Sequence, residues 1–439
     1  MSNRFINPSG FAENLPAEQI LEERLKSAFG KTAESYGFIK LETSSVEYMD
    51  TLASKGEVNK EIYTLGRALA EEGEGDSERG LHFDLTVPFA RYVAQHQGKL
   101  QFPYRRYQIQ KVWRGERPQK GRFREFYQAD VDVVARENLP LQFDAEVVTV
   151  VARILSSYNI GGVTIHINNR KYLSGLLQSF GIEDATTALQ LIDKLDKIGV
   201  EKVRAELALI YNLDDISLDL LFAYINERIT ESDFAQFAAN VEVRNERMGE
   251  GLEELKTIFE TLRTRAEISN VSFVFNPSIA RGLDYYTGMV VETTLNGFEK
   301  YGSICSGGRY ADLASRFTNQ TLPGVGLSIG LTRLLSIIKE ENLVEMKEAT
   351  NSDIVVCLLN EAERTASLSL AEALRQYGLN VESNHKPSVG LGKQLEQAKE
   401  KGIPKAVIVE SDGNYTLIDI SSNDKQKLDS IDTIVSLMK

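Results

Sequence analysis

The chain has 439 residues, a formal net charge of −13, 42% hydrophobic and 26% charged residues, the make-up of a globular protein with room for two or three cores. Two distant cysteines, Cys305 and Cys357, exclude a disulfide framework and favour a reducing cytoplasm, and four histidines without ligand spacing exclude a His/Cys metal centre. The opening MSNRFINPSGF has neither signal-peptide nor transit-peptide character, no run approaches the roughly 18 apolar residues of a membrane span, and the acidic charge argues mildly against nucleic acid unless a local patch supplies the field.

Pro16 to Tyr36 carries Leu21, Leu25, Ala28, Phe29 and Tyr36 on one stripe, with Pro16 in the first turn and Gly37 past the end, which predicts an amphipathic helix. Phe38 to Glu42 reads as a short strand and Glu71 to Gly75 as an acidic surface loop. Leu81 to Leu85 reads as a strand, and Thr86-Val87-Pro88 opens a helix that runs through Tyr92. Thr86 is either the cap of that helix or a ligand, and Asp84 either a partner of the helix dipole or a pocket carboxylate.

From Gln101 to Asp130 there are eight Lys or Arg against three Asp or Glu, a local surplus of +5 in an acidic chain. Tyr107 to Arg114 and Phe123 to Val134 read as two strands joined by a charged turn at Pro118 and Gly121. Side chains alternate along a strand, so Arg124, Phe126, Gln128, Asp130 and Asp132 share one face of the second. Two carboxylates and an amide framed by arginines are costly to bury without partners. The hairpin is either a solvated edge or the floor of a pocket where Arg114 and Arg122 take phosphates and the carboxylates take an ammonium.

Leu141 to Tyr158 reads as a buried helix and Val163 to Ile167 as a strand. Mostly helical periodicity follows to about Glu267, a block that looks inserted, and Val271 to Phe275 resumes the strand pattern. Ala280 to Leu295 then brings Arg281, Asp284, Tyr285 and Tyr286 together around two glycines, and SICSGGRY at 303–310 offers Gly307 and Gly308 where a backbone approaches a ligand. In LPGVGLSIGLTRLLSIIK, Arg333 sits early in a helix, against the dipole, and asks for an anion. The glycine spacing there is not the dinucleotide fingerprint, and no GxxxxGK[ST] occurs. Beyond Asp353, strands at Ile354–Leu359, Leu379–Ser383 and Ala406–Val409 alternate with helices at Arg364–Tyr377 and Leu391–Lys401, which predicts a βαβαβ domain with a mostly parallel sheet.

These stretches resemble the histidyl-tRNA synthetases, a family of class II aminoacyl-tRNA synthetases, nearly end to end. ERPQKGRFREFYQ is similar to class II motif 2, RGLDYYTG to the histidyl signature, GLSIGLTRL to motif 3, and the GKQLEQA helix to the family's anticodon-binding domain. YGFIKLETSS resembles motif 1, with Ser44 where the family usually has a proline. The implied fold is α+β, a class II catalytic domain built on an antiparallel sheet with flanking helices. Its two parts are 1–170, with motifs 1 and 2, and 268–345, with the histidine signature and motif 3. A mostly helical insertion (171–267) lies between them, and a C-terminal α/β anticodon-binding domain (350–439) follows.

The resemblance implies ATP-dependent attachment of L-histidine to its tRNA through a histidyl-adenylate, with Mg²⁺ accompanying ATP and a homodimer as the working form. It places Arg114 at the α-phosphate and the histidine carboxylate, Arg281 as the catalytic arginine beside them, and Glu116, Arg122, Arg333 and Gly326 around ATP. Asp84, Thr86, Gln128 and Asp132 bind the histidine ammonium, with Asp132 preferred to Asp130 on the family pattern alone, and Tyr285 and Tyr286 line the imidazole pocket. Gly307, Gly308 and Gly326 leave room for substrate, Arg117 and Gln119 touch the tRNA acceptor end, the terminal domain reads the anticodon and the insertion approaches the acceptor stem. The chemistry fits the residues: bringing a carboxylate up to a triphosphate requires fixed guanidiniums rather than an acid/base side chain. The rival readings are a catalytically inactive histidine-sensing or regulatory relative of the same fold and a class II synthetase of another specificity.

Overall fold

The computed structural model describes residues 6–53, 61–66, 78–119, 121–280, 286–311, 314, 317–346 and 349–438. The chain forms two compact units, one of residues 1–12 with 25–344 and one of residues 13–24 with 345–439.

The described strands of the larger unit are β1 (Ile39–Lys40), β2 (Val46–Tyr48), β3 (Arg79–Leu81), β4 (Tyr104–Trp113), β5 (Glu125–Val134), β6 (Val163–Asn169), β7 (Ile229–Thr230), β8 (Val271–Phe275), β9 (Tyr286–Leu295), β10 (Cys305–Tyr310) and β11 (Gly324–Gly330). Helices α1 (Pro16–Ser35, of which Leu25 onward belongs to this unit), α2 (Met49–Leu52), α3 (Thr86–His96), α4 (Gln142–Ser157), α5 (Arg170–Gln178), α6 (Ala185–Ile192), α7 (Leu195–Ile198), α8 (Val200–Tyr211), α9 (Asp215–Ile225), α10 (Phe234–Asn240), α11 (Glu246–Arg263) and α12 (Leu331–Glu340) accompany them. Nine strands make one sheet in the order β1-β4-β5-β11-β10-β9-β6-β8-β7. Its ladders are antiparallel except β1 with β4 and β6 with β8, so the fold is α+β.

Alternation gives this sheet two different faces. On one face, Arg105 and Arg309 meet Glu146 and Asp144 of α4, and Tyr107 donates to Glu34 of α1 at 2.7 Å. Val147, Val148, Val150, Val151, Ile154 and Leu155 of α4 are fully buried, so that face is closed by apolar packing. The other face carries polar residues in register. Arg106, Asp132, Gly326 and Gly308 are successive neighbours across β4, β5, β11 and β10, and Gln108, Asp130, Ser328 and Ser306 form the next row.

The block 171–267 is helical as expected, and within it β7 extends the sheet edge beside β8. Helices α5 and α11 cross at backbone contact, because a Cβ on Gly251 would lie 2.1 Å from Tyr172 N and one on Gly175 would lie 2.3 Å from Met248 N. Only glycine fits such a crossing.

The expected strand at Leu81–Leu85 is β3 instead, ending at Leu81. The chain leaves the ladder there: His82 Nε2 bonds Lys111 O at 2.7 Å, Trp113 N donates to His82 O at 3.1 Å, and Asp84 turns to the helix that follows.

In the smaller unit, β12 (Ile354–Cys357), α13 (Arg364–Gln376), β13 (Val381–Ser383), α14 (Leu391–Lys401) and β14 (Lys405–Val409) realise the expected alternation. The sheet order is β13-β12-β14-β15-β16, because β15 (Tyr415–Asp419) and β16 (Lys425–Leu428) add two antiparallel strands before α15 (Ile431–Met438). The sheet is therefore mixed rather than mostly parallel. The reversal into β15 runs through Gly413, at φ +86. Gln394 of α14 is buried and clasps the backbone of Leu358, accepting from its N at 3.1 Å and donating to its O at 2.8 Å.

Candidate active site

The polar face of the large sheet is a continuous network. Arg114 follows β4 and lies over the Phe126 ring at 5.1 Å; its Nε donates to Phe83 O at 3.0 Å and its Nη2 to Gln128 Oε1 at 3.4 Å. Gln128 Nε2 donates to Ser328 Oγ at 2.7 Å, and Ser328 is hydrogen-bonded to the Asp130 carboxylate. Asp132 lies one pleat further along, 2.9 Å from Arg106 Nη2, and accepts from the Tyr310 hydroxyl at 3.1 Å.

Three carboxylates converge at this inner end. Asp130 and Asp132 are buried, Asp84 is 8% exposed, and all three interact electrostatically with one another or with Arg106. Burial pushes the Asp130 carboxyl up to about 7; Arg106 and Ser328 oppose the rise, while Asp132 and then Asp84 add to it. Burial beside Asp132 likewise holds the Tyr310 hydroxyl well above its ordinary value. Burial lowers the His82 imidazole, whose Nε2 proton goes to the backbone, so that histidine is structural.

At the outer end the charges are cationic. Glu116 lies between Arg114, at 3.8 Å, and Arg122, at 3.2 Å. Arg333, in the first turn of α12, donates to Gly121 O at 3.0 Å and to Ser303 O at 2.9 Å. The hairpin turn is thus where Arg122 and Arg333 come together, with Arg114 joined to them through Glu116. Arg117 and Gln119 are exposed on that turn. Beside it, a cleft of about 530 Å³ is lined by Asn7, Pro8, Phe11, Pro118, Gln119 and Arg122, among others.

Most of the expected site residues are therefore neighbours. Asp84 caps α3, its Oδ1 accepting from Val87 N at 3.0 Å, so Thr86 lies in the first turn and does not cap. This removes the capping role considered for Thr86, which is half-buried. Tyr286 begins β9 and packs with Phe89 and Tyr310; Gly308 lies against its ring, since a Cβ there would stand 3.1 Å from it. The space at Gly326 is taken by Asp132, whose Oδ1 lies 2.0 Å from where a Cβ would be. Gly307 faces Leu327 and the Gly326 carbonyl instead, as the alternation of β10 requires. Arg281 and Tyr285 lie outside the described residues.

Two participants were missed in the sequence reading, Arg106 and Tyr310. Arg106 shares the parity of Gln108, Gln110 and Arg114, so the polar face of β4 was readable by the alternation applied to β5.

A family model described as Histidyl-tRNA synthetase matches residues 10–334. The chain is similar to proteins named Histidine--tRNA ligase from Thermobifida fusca, 43% identical over 91% of this chain and 92% of that one, and from Micrococcus luteus, 41% identical over 92% and 89%. Among solved structures it resembles histidyl-tRNA synthetase from Nostoc sp. PCC 7120, with a TM-score of 0.88 and 36% identity over 99% of each chain.

Proposed function

The chain belongs to the histidyl-tRNA synthetase family, and from that premise we propose that it charges tRNA with L-histidine along the polar face between Asp132 and the hairpin turn, using ATP and passing through a histidyl-adenylate. The observation that carries this reading is the polarity of the network: three carboxylates at its inner end, guanidiniums at its outer end, and Arg114 with Gln128 between. A zwitterionic amino acid lying along it meets acids with its ammonium and Arg114 with its carboxylate.

In the first step the histidine carboxylate oxygen attacks the α-phosphorus of ATP in line; the new O–P bond forms as the bond to pyrophosphate breaks. Arg114 neutralises the carboxylate and the α-phosphate as they approach, Arg122 and Arg333 hold the outer phosphates, and Glu116 spaces Arg122 from Arg114. Arg281 is the further catalytic arginine, an assignment that rests on the RGLDYYTG stretch. Asp84, Thr86, Gln128 and Asp132 hold the ammonium, and Tyr285 and Tyr286 flank the imidazole. In the second step a ribose hydroxyl of the tRNA terminal adenosine attacks the adenylate carbonyl, forming the ester and releasing AMP. Arg117 and Gln119 lie where the acceptor end would reach.

Among the described residues no group of three His, Cys, Asp or Glu side chains is disposed to hold a metal ion. Mg²⁺ would accompany ATP as the ion carried on the nucleotide phosphates.

Residues 350–439 would read the anticodon and 171–267 would approach the acceptor stem. Exposed Ile39, Val46 and Tyr48, beside Ser44, whose Oγ shapes a turn with Val46, offer the face for a second copy. No helix among the described residues is long and apolar enough to cross a membrane. Amino-acid-dependent exchange of pyrophosphate into ATP tests the reading across the twenty amino acids. Exchange with histidine alone is expected; exchange with another amino acid, or none at all, refutes it.

A further inference from the structure

Among the described residues Arg106 is the largest fully buried side chain, at 0% exposure. Its guanidinium sits 4.3 Å over the Phe89 ring of α3, and Nη2 is 2.9 Å from Asp132 Oδ2 and 3.8 Å from Asp130 Oδ2. The 2.9 Å contact is off the line of a hydrogen bond, and Nε and Nη1 have no hydrogen-bond acceptor among the described residues. A fully buried guanidinium with so few contacts is poorly suited to stabilise a fold, because desolvation outweighs what those contacts return. It is well suited to set charge at one place. Two aspartates on the same face of one strand, two residues apart, cannot both ionise in such a site without a cation between them.

We propose that Arg106 is a positioning residue for histidine recognition: it acts as the shared counter-ion of Asp130 and Asp132 and keeps Asp132, its nearer partner, ionised for the substrate. The assignment rests on the activity proposed above and deepens it. Tyr310, donating to Asp132 Oδ1 from the far side, completes its orientation. The groups facing Asp130 are Arg106 from β4, Asp132 from its own strand, Ser328 from β11, Asp84 from the segment before α3, and the Cys305 thiol of β10. Among the described residues Arg106 is the cation facing Asp130, so removing it favours a proton shared between Asp130 and Asp132.

The test is histidine-dependent pyrophosphate exchange by the full chain as wild type, Arg106→Met, and Arg106→Met with Asp130→Asn. The single variant is expected to raise the histidine KM by about 10-fold or more, the scale of a lost charge-assisted contact, with the ATP KM within twofold. The acidic limb of kcat/KM for histidine should move to higher pH by about one unit or more. The double variant, which removes the arginine and the charge it balances, should recover at least half of the loss on a logarithmic scale and return the limb toward wild type. A single variant with unchanged histidine KM, equal rises in both KM values, an unmoved limb, or a folded double variant without recovery overturns the proposal. Should Arg106→Met fail to fold, the double variant decides: a folded enzyme with histidine KM within about 10-fold of wild type supports the counter-ion role, and one that also fails to fold or exceeds that change assigns Arg106 to the scaffold. Wild-type exchange with histidine keeps these outcomes separate from a failure of the proposed activity itself.

Discussion

Gly326→Ala is the sharpest test of where substrate meets the sheet. A Cβ at 326 would lie 2.0 Å from Asp132 Oδ1 and 2.5 Å from its Cγ, far inside contact distance, so the carboxylate must move. Moving it breaks the approach to Arg106 Nη2 at 2.9 Å and the bond from Tyr310 at 3.1 Å. Losing a charge-assisted contact costs about 1.5 to 3 kcal/mol, and overpacking a filled site costs roughly 1 to 3 kcal/mol. Relaxation is shared between the two, so a loss of about 2 kcal/mol in histidine binding is expected, roughly 30-fold in KM. The ATP KM should change little, because the guanidiniums at the hairpin turn are untouched. The assay is pyrophosphate exchange at varied histidine and varied ATP, with a thermal melt of the same preparation. A histidine KM within twofold of wild type, in a variant whose melting temperature is also unchanged, would refute the placement of Asp132 and the recognition scheme built on it.

Other perturbations separate the remaining parts. Arg281→Ala is expected to slow adenylate formation by roughly 10² to 10³, with a smaller effect on histidine affinity; wild-type exchange in that variant removes Arg281 from the mechanism. Asp132→Ala should raise the histidine KM, and an unchanged value transfers the ammonium to Asp130. Burial holds the Asp130 carboxyl above its ordinary range, so its contribution to stability is complete below the ordinary value and is lost as pH rises through the raised one. Relative to Asp130→Asn, the wild type should therefore lose stability as pH rises from the ordinary carboxylate range toward neutrality; denaturant melts showing parallel pH profiles for the two proteins contradict the raised value. Gly251→Ala would place a Cβ 2.1 Å from Tyr172 N, and a loss of about 1 to 3 kcal/mol or outright misfolding is expected; a wild-type melting temperature would show that α5 and α11 are free to part.

Period-two alternation in β5 was enough to place Gln128, Asp130 and Asp132 on a common face beside Phe126, and the observed register agrees. What the pattern of one strand could not show was its opposite number. Arg106 belongs to the basic run and is distinguished from Arg105 only by which way the pleat turns it, one into a dry interior and the other to Glu146 on α4. Gly326 was legible as a special position but not as the space Asp132 occupies, since that depends on pairing across β11. The segment after Leu81 failed as a strand because its polar atoms found partners off the ladder, and propensity cannot anticipate such tertiary capture. In the smaller unit, β15 and β16 went unrecognised because their alternation is short and charged.

Asp84 spends one carboxylate oxygen on the amide of Val87 while its charge belongs to the acid cluster. Whatever draws that oxygen inward also tugs on the start of a helix, and Phe89, one turn later, is the ring on which Arg106 rests. A ligand that engages Asp84 would therefore also act on the start of α3. Hydrogen exchange at the Val87 amide should then change when an amino acid is bound.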